Sequence, residues 1–174
     1  MQRQGRYDCF LTNRNRNCGN QKDFIIDDIA EFSALSQVDI DVIDLAELGK
    51  GVFEGSPDCI KLLDADGHIL AMNRNGICAM EIDDFKTVRG AMWPTLWTEE
   101  NRHAIEAAIV AARSGRNYTL NLACPTAKGS PRWWDVTVSP IIGVDGQVTR
   151  ILSVSRDITE ARFAMEKVRG QNRS

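Results

Sequence analysis

Histidine is nearly missing from this 174-residue chain, which has His68 and His103 and no others. Its five cysteines (Cys9, Cys18, Cys59, Cys78 and Cys124) are odd in number and irregularly spaced, with no C-x-x-C pair. That leaves neither a zinc-ligand pattern nor a disulfide framework, and points to thiols in a reducing compartment. Long hydrophobic runs are also lacking. The longest, around Ala104 to Ala112, is interrupted by Glu106 and falls far short of the roughly 20 residues that cross a bilayer. Met1 to Asn20 has four arginines and no apolar stretch, which excludes a secretory signal and leads us to expect a cytoplasmic protein without a membrane partner. Neither sign of charge dominates, since the net value is −3, so nothing favours nucleic acid. Catalytic sets are absent: no Gly-rich phosphate loop, no G-x-S-x-G and no metal triad. The adjacent carboxylates Asp27-Asp28 and Asp83-Asp84 point apart on a helix and read as solvated acids. The chain is not expected to be an enzyme.

What is there suits one globular domain. Hydrophobic residues make up 43% and charged residues 26%, enough for a core of normal size. Residues 1–22 hold five basic side chains against Asp8, for a net +4, and read as a polar, disordered or loosely docked tail. In residues 23–58 ten acids face Lys50 alone, for −9. Ile25, Ile26, Ile29, Phe32, Ile40, Ile43 and Leu48 recur there at helical spacing. Residues 23–50 are accordingly an acidic, amphipathic helical extension, with an apolar stripe that needs the domain or a second chain to cover it.

Residues 51–157 carry the clearest pattern. Two short apolar runs flank Ala65-Asp66-Gly67, a hairpin signal because glycine supplies the positive φ of the turn. A broken helical stretch covers Asn75 to Trp97. A long helix then follows Thr98, its expected N-cap, with Ile105, Ala108, Ile109 and Ala112 on one face and Gly115 as its stop. Three strands close the region: Tyr118 to Cys124, Trp133 to Ser139 and Val148 to Val154, with Asp145-Gly146 turning the last pair. Residues 158–174 begin another helix. Asp157 is its expected cap, and Ile158, Ala161, Met165 and Val168 fall at heptad-like spacing. The pattern stops as it begins, so the natural chain is expected to continue past Ser174.

Four segments in this order resemble the PAS sensor domains of bacterial signalling proteins. They are Phe53-Glu54-Gly55-Ser56-Pro57-Asp58, Leu63 to Asn73 (LDADGHILAMN), Trp134 to Ile141 (WDVTVSPI) with the later Asp145-Gly146, and Ser155-Arg156-Asp157-Ile158-Thr159-Glu160. The last matches the D-I-T-E ending from which a signalling helix leaves the sheet. The resemblance implies an α+β fold with a five-stranded antiparallel sheet of order 2-1-5-4-3, helices on one face and flanking helices through which such domains often dimerise. It also implies an output domain, such as a histidine kinase or a cyclic-dinucleotide enzyme, in the same chain or another. This chain lacks the segments of either enzyme.

The resemblance further implies a small-molecule pocket between the inner sheet face and the short helices, where Asn73, Trp93, Trp97, Leu122, Trp134, Val138 and Leu152 are expected. Indoles there either stack on a flat cofactor such as flavin or fill the core. His103, near the start of the long helix, is the candidate axial ligand of a heme. Cys78 lies too early, and without a following arginine, for the cysteine of the light-sensing branch. The cofactor thus stays open between none, flavin and heme. Asp157, Ile158 and Thr159 are the expected couplers. Asp157 caps the outgoing helix and pairs with Arg156 or Arg162, while Thr159 bonds to nearby backbone.

Overall fold

The computed structural model describes residues 42–171, and side chains within 46–169. The basic tail and most of the acidic extension lie outside the described residues. A helix, α1 (Val42–Gly55), runs through the boundary expected at residue 50. It leads into β1 (Cys59–Asp64), β2 (Ile69–Met72) and the short helix α2 (Arg74–Ala79). Two 3-10 turns, Phe85–Thr87 and Trp93–Leu96, precede α3 (Glu99–Arg113). Then come β3 (Tyr118–Ala123), β4 (Trp133–Ile142), β5 (Val148–Asp157) and α4 (Thr159–Gln171). All neighbouring strands are antiparallel in the order β2-β1-β5-β4-β3, the order that the resemblance implied.

The β1–β2 turn forms because Asp64 organises it. Its Oδ1 accepts from the backbone N–H groups of Asp66 (2.9 Å) and His68 (2.8 Å), and Oδ2 lies 2.9 Å from His68 Nδ1. Burial pushes the Asp64 carboxyl up, but the bonds and charge of His68 and the Asp66 N–H outweigh it and hold it below 3.8. Gly67 takes φ +98°, and a Cβ there would meet Ile109 Cδ1 at 2.7 Å. The positive φ of the turn calls for glycine, and any larger residue would also have to push the end of the Ile109 side chain aside.

Helix α3 buries Ile105, Ala108, Ile109 and Ala112 against the sheet, the face its periodicity predicts. Thr98 stands at the N-cap position, but its hydroxyl makes no capping bond. Glu99 and Glu100 face the positive end of the helix dipole instead, and Gly115 ends the helix at φ +78°. The core lies between α3, the short helices and one sheet face. It includes Leu63, Ile69, Phe85, Trp93, Trp134, Val136, Val138 and Ile151. Among the described residues no helix is long and apolar enough to cross a membrane.

Candidate ligand cavity and signal exit

Strand parity decides which side chains meet inside the fold. On β1, Cys59, Lys61 and Leu63 share the inner face. On β5 that face belongs to Ile151, Ser153 and Ser155, all of them buried. The β1–β5 register sets Lys61 opposite Ser153 and Cys59 opposite Ser155. A four-residue polar patch thus interrupts an otherwise apolar wall. Lys61 is 3% exposed, its Nζ lies 2.8 Å from Cys59 Sγ, and it stands 5.8 Å from the centre of the Trp93 ring.

Over this patch lies a cavity of about 20 Å³, room for about one water molecule. Lys61, Ser155, Cys124, Trp93, Trp97 and Trp134 line it, with Met72, Met80, Ile82 and Leu96 completing the wall. Trp93 and Trp97 meet edge-to-face with centroids 6.0 Å apart. The Trp134 Nε1–H donates to the Cys124 carbonyl (3.0 Å). Burial pushes the Cys124 thiol up, with the Lys61 charge and the Thr98 N–H opposing only in part.

Of the residues expected around the pocket, the structure brings Trp93, Trp97 and Trp134 together on the cavity. Val138 and Leu122 are on the inner face but belong to the core beside it. Leu152 has the opposite parity from Ile151 and Ser153, so it lies on the outer sheet face. Asn73 is fully buried but is tied to backbone elsewhere. Its Nδ2 donates to the carbonyls of Phe53 (3.0 Å) and Asp58 (2.9 Å), and its Oδ1 accepts from Ile60 N (2.9 Å) and Gly76 N (3.0 Å). It closes the joint between α1, β1 and α2.

His103 does not reach the cavity. Its side chain is 89% exposed on the solvent side of α3, and its Nδ1 is 3.0 Å from Glu106, because the buried face runs through Ile105 and Ala108 instead. Placed there, it cannot ligate an iron held inside the fold. The packed indoles leave room for a water-sized group. Among the described residues no cluster of three His, Cys, Asp or Glu could hold a metal.

At the other end of β5 the chain leaves the sheet. Asp157 Oδ1 accepts from Thr159 N (2.9 Å) and from its hydroxyl, while Thr159 Oγ1 in turn accepts from Trp133 N (2.9 Å). Asp157 pairs with Arg132 (3.4 Å). The expected partners are engaged elsewhere: Arg156 holds Asp58 through two nitrogens, and Arg162 stacks 3.7 Å over the Trp133 ring. Thr159 bonds across to β4 instead of to nearby backbone. Ile158 N donates to the Trp133 carbonyl (2.9 Å). The start of α4 is thereby fastened to the first residue of β4.

A family model described as the PAS fold matches residues 53–162. The chain belongs to the PAS family. Similar solved structures include the PAS domain of a protein from Colwellia psychrerythraea, at 21% identity and a TM-score of 0.60, covering 67% of this chain and 99% of that one. Another is a domain of the sensory box sensor histidine kinase/response regulator from Geobacter sulfurreducens (20%, TM-score 0.57, covering 67% and 96%). An RNA-binding light-oxygen-voltage receptor matches at 18% and a TM-score of 0.65, over 80% of this chain and 40% of its own. No curated protein matches. At these identities the structural likeness shows the PAS fold alone. This PAS domain departs from the sequence expectation mainly in Lys61, Ser153 and Ser155, which were not among the expected pocket residues. Their inward parity was the signal available.

Proposed function

We propose that this PAS domain is the sensory module of a bacterial, cytoplasmic signal-transduction protein and is not itself catalytic. Occupancy of the cavity by a small ligand shifts β5, and the shift re-aims α4 toward an output such as a histidine kinase or diguanylate cyclase, in the same chain or another. One observation carries this reading. Ser155 lines the cavity, and Asp157, two residues further along the same strand, holds the start of α4. A displacement at Ser155 is thus delivered to Asp157 through two peptide units of a paired strand, and from there through Thr159 to the helix.

The test is Asp157→Ala. Cys124→Met adds volume to the cavity wall, and amide hydrogen exchange over residues 160–169 reads the helix. In the otherwise unaltered chain Cys124→Met should change that exchange several-fold, and in the Asp157→Ala background the change should vanish with the fold retained. An equal response in both backgrounds would refute the coupling.

A second reading, a ligand-free dimerisation module, is favoured by the exposed apolar side chains of both flanking helices. These are Leu48 and Val52 on α1 and Met165 and Val168 on α4, each 58–65% exposed.

A further inference from the structure

A buried lysine in a PAS cavity requires an explanation, because a cation removed from water costs several kcal/mol unless something pairs with it. Among the described residues Lys61 forms no ion pair, and its contacts are the Cys59 thiol and the Trp93 ring. Beside it, the Oγ atoms of Ser153 and Ser155 are buried and have no hydrogen-bond partner among the described residues. Buried hydroxyls in native proteins are nearly always satisfied. One positive group and two idle hydroxyls therefore converge on the same wall, set side by side by the β1–β5 register. Lys61 and Ser155 both line the cavity and can donate to an acceptor placed there.

From this we infer that the cavity binds the carboxylate of a small apolar or aromatic monocarboxylic acid. The carboxylate meets Lys61 Nζ and accepts from Ser155, with Ser153 adjoining, and the rest of the molecule lies among the indoles. This inference rests on the reading of the cavity as a ligand site. A single lysine amine matches a single carboxylate. A dianion would leave one charge against Trp97, Leu96 and Ile82, where nothing neutralises it. The present space holds only a water-sized group, so the acid enters by displacing Met80, whose unbranched thioether side chain is half-buried at the cavity edge. The nearly neutral overall balance of the chain gives no general attraction for anions, so selectivity must come from the patch itself.

The experiment titrates the full chain with acetate, butyrate, benzoate and phenylacetate, and with benzamide and chloride as matched controls. Intrinsic fluorescence provides the readout, since Trp93, Trp97 and Trp134 line the cavity. The expected result is saturable binding of at least one aromatic or aliphatic carboxylate. The same acid should bind at least about tenfold more weakly to Lys61→Met, as loss of a charge-assisted hydrogen bond implies. Ser155→Ala, a smaller change, should weaken it less and serves if Lys61→Met fails to fold. Three results overturn the inference: no carboxylate binds, chloride competes equally, or the variants bind as tightly as the parent. If benzamide binds while the acids do not, the acid class is wrong and the ligand-sensor reading survives. The Asp157→Ala exchange test judges that reading separately.

Discussion

Asn73 uses both ends of its amide on backbone groups of three segments. Its Oδ1 caps α2 and its Nδ2 holds the carbonyls of Phe53 and Asp58. Gly76 is the matching residue, because a Cβ there would lie 2.8 Å from both Asn73 Oδ1 and Cys59 Sγ. Replacing Asn73 with Ala strands two N–H groups and two carbonyls, so urea unfolding should show a loss of about 3 kcal/mol, given the cost of unsatisfied buried groups and a lost cap. Asn73→Asp should be no better, since it would turn a carboxylate oxygen toward those carbonyls. Retention of full stability by either variant would contradict the assignment. The sequence placed Asn73 among the expected pocket residues and did not show what it holds, because its partners lie up to 20 positions away. The opposite happened at Lys61. Reading residues 59–64 as one apolar run hid the fact that Lys61 shares parity with Cys59 and Leu63. Ser153 and Ser155 were hidden in the same way on the face of Ile151.

At the scale of elements, periodic segments were legible and their fastenings were not. The long helix, both Asp-Gly hairpins and the D-I-T exit follow from local pattern. The anchoring of Asp157 by Arg132 does not, since Arg132 sits at the end of the β3–β4 loop. That loop has a second tie. Glu81, at φ +54° between the cavity residues Met80 and Ile82, accepts from the hydroxyls of Thr126 and Ser130. Those two bonds lower its carboxyl below the ordinary 4.5. Burial opposes them, and the charges of Arg132 and Lys128 reinforce them. A lowered folded-state value means the carboxylate contributes stability above pH 4.5 and loses it as the pH falls through the lower folded value. The stability difference between the parent chain and Glu81→Gln should therefore be constant from neutral pH down to about 4.5 and shrink below it. Taking the difference cancels the similar titration of Asp64. A difference that grew on acidification would exclude the tether.

For the whole molecule the open question is what covers the flanking helices. Leu48, Val52, Met165 and Val168 remain exposed when one chain is considered alone, and a second copy using the same stripes would bury them. Deleting residues 1–50 should convert a dimer to a monomer by light scattering while near-ultraviolet circular dichroism stays native. Phe53, whose carbonyl holds Asn73, survives that deletion. A dimer that outlasts the deletion, or a full chain that is already monomeric, would remove α1 from the interface. The two-residue alternation of β5 also limits how any message can travel through the molecule. Sliding the strand by one residue would swap Ser153 and Ser155 for Leu152 and Val154. The next register that keeps its faces lies two residues, about 6.8 Å, away. Ratcheting is thereby forbidden in small steps, and only tilt and twist within a fixed register remain. Under the proposed coupling such a strand would behave as a lever with locked teeth, and its response to an occupant would be graded rather than stepped.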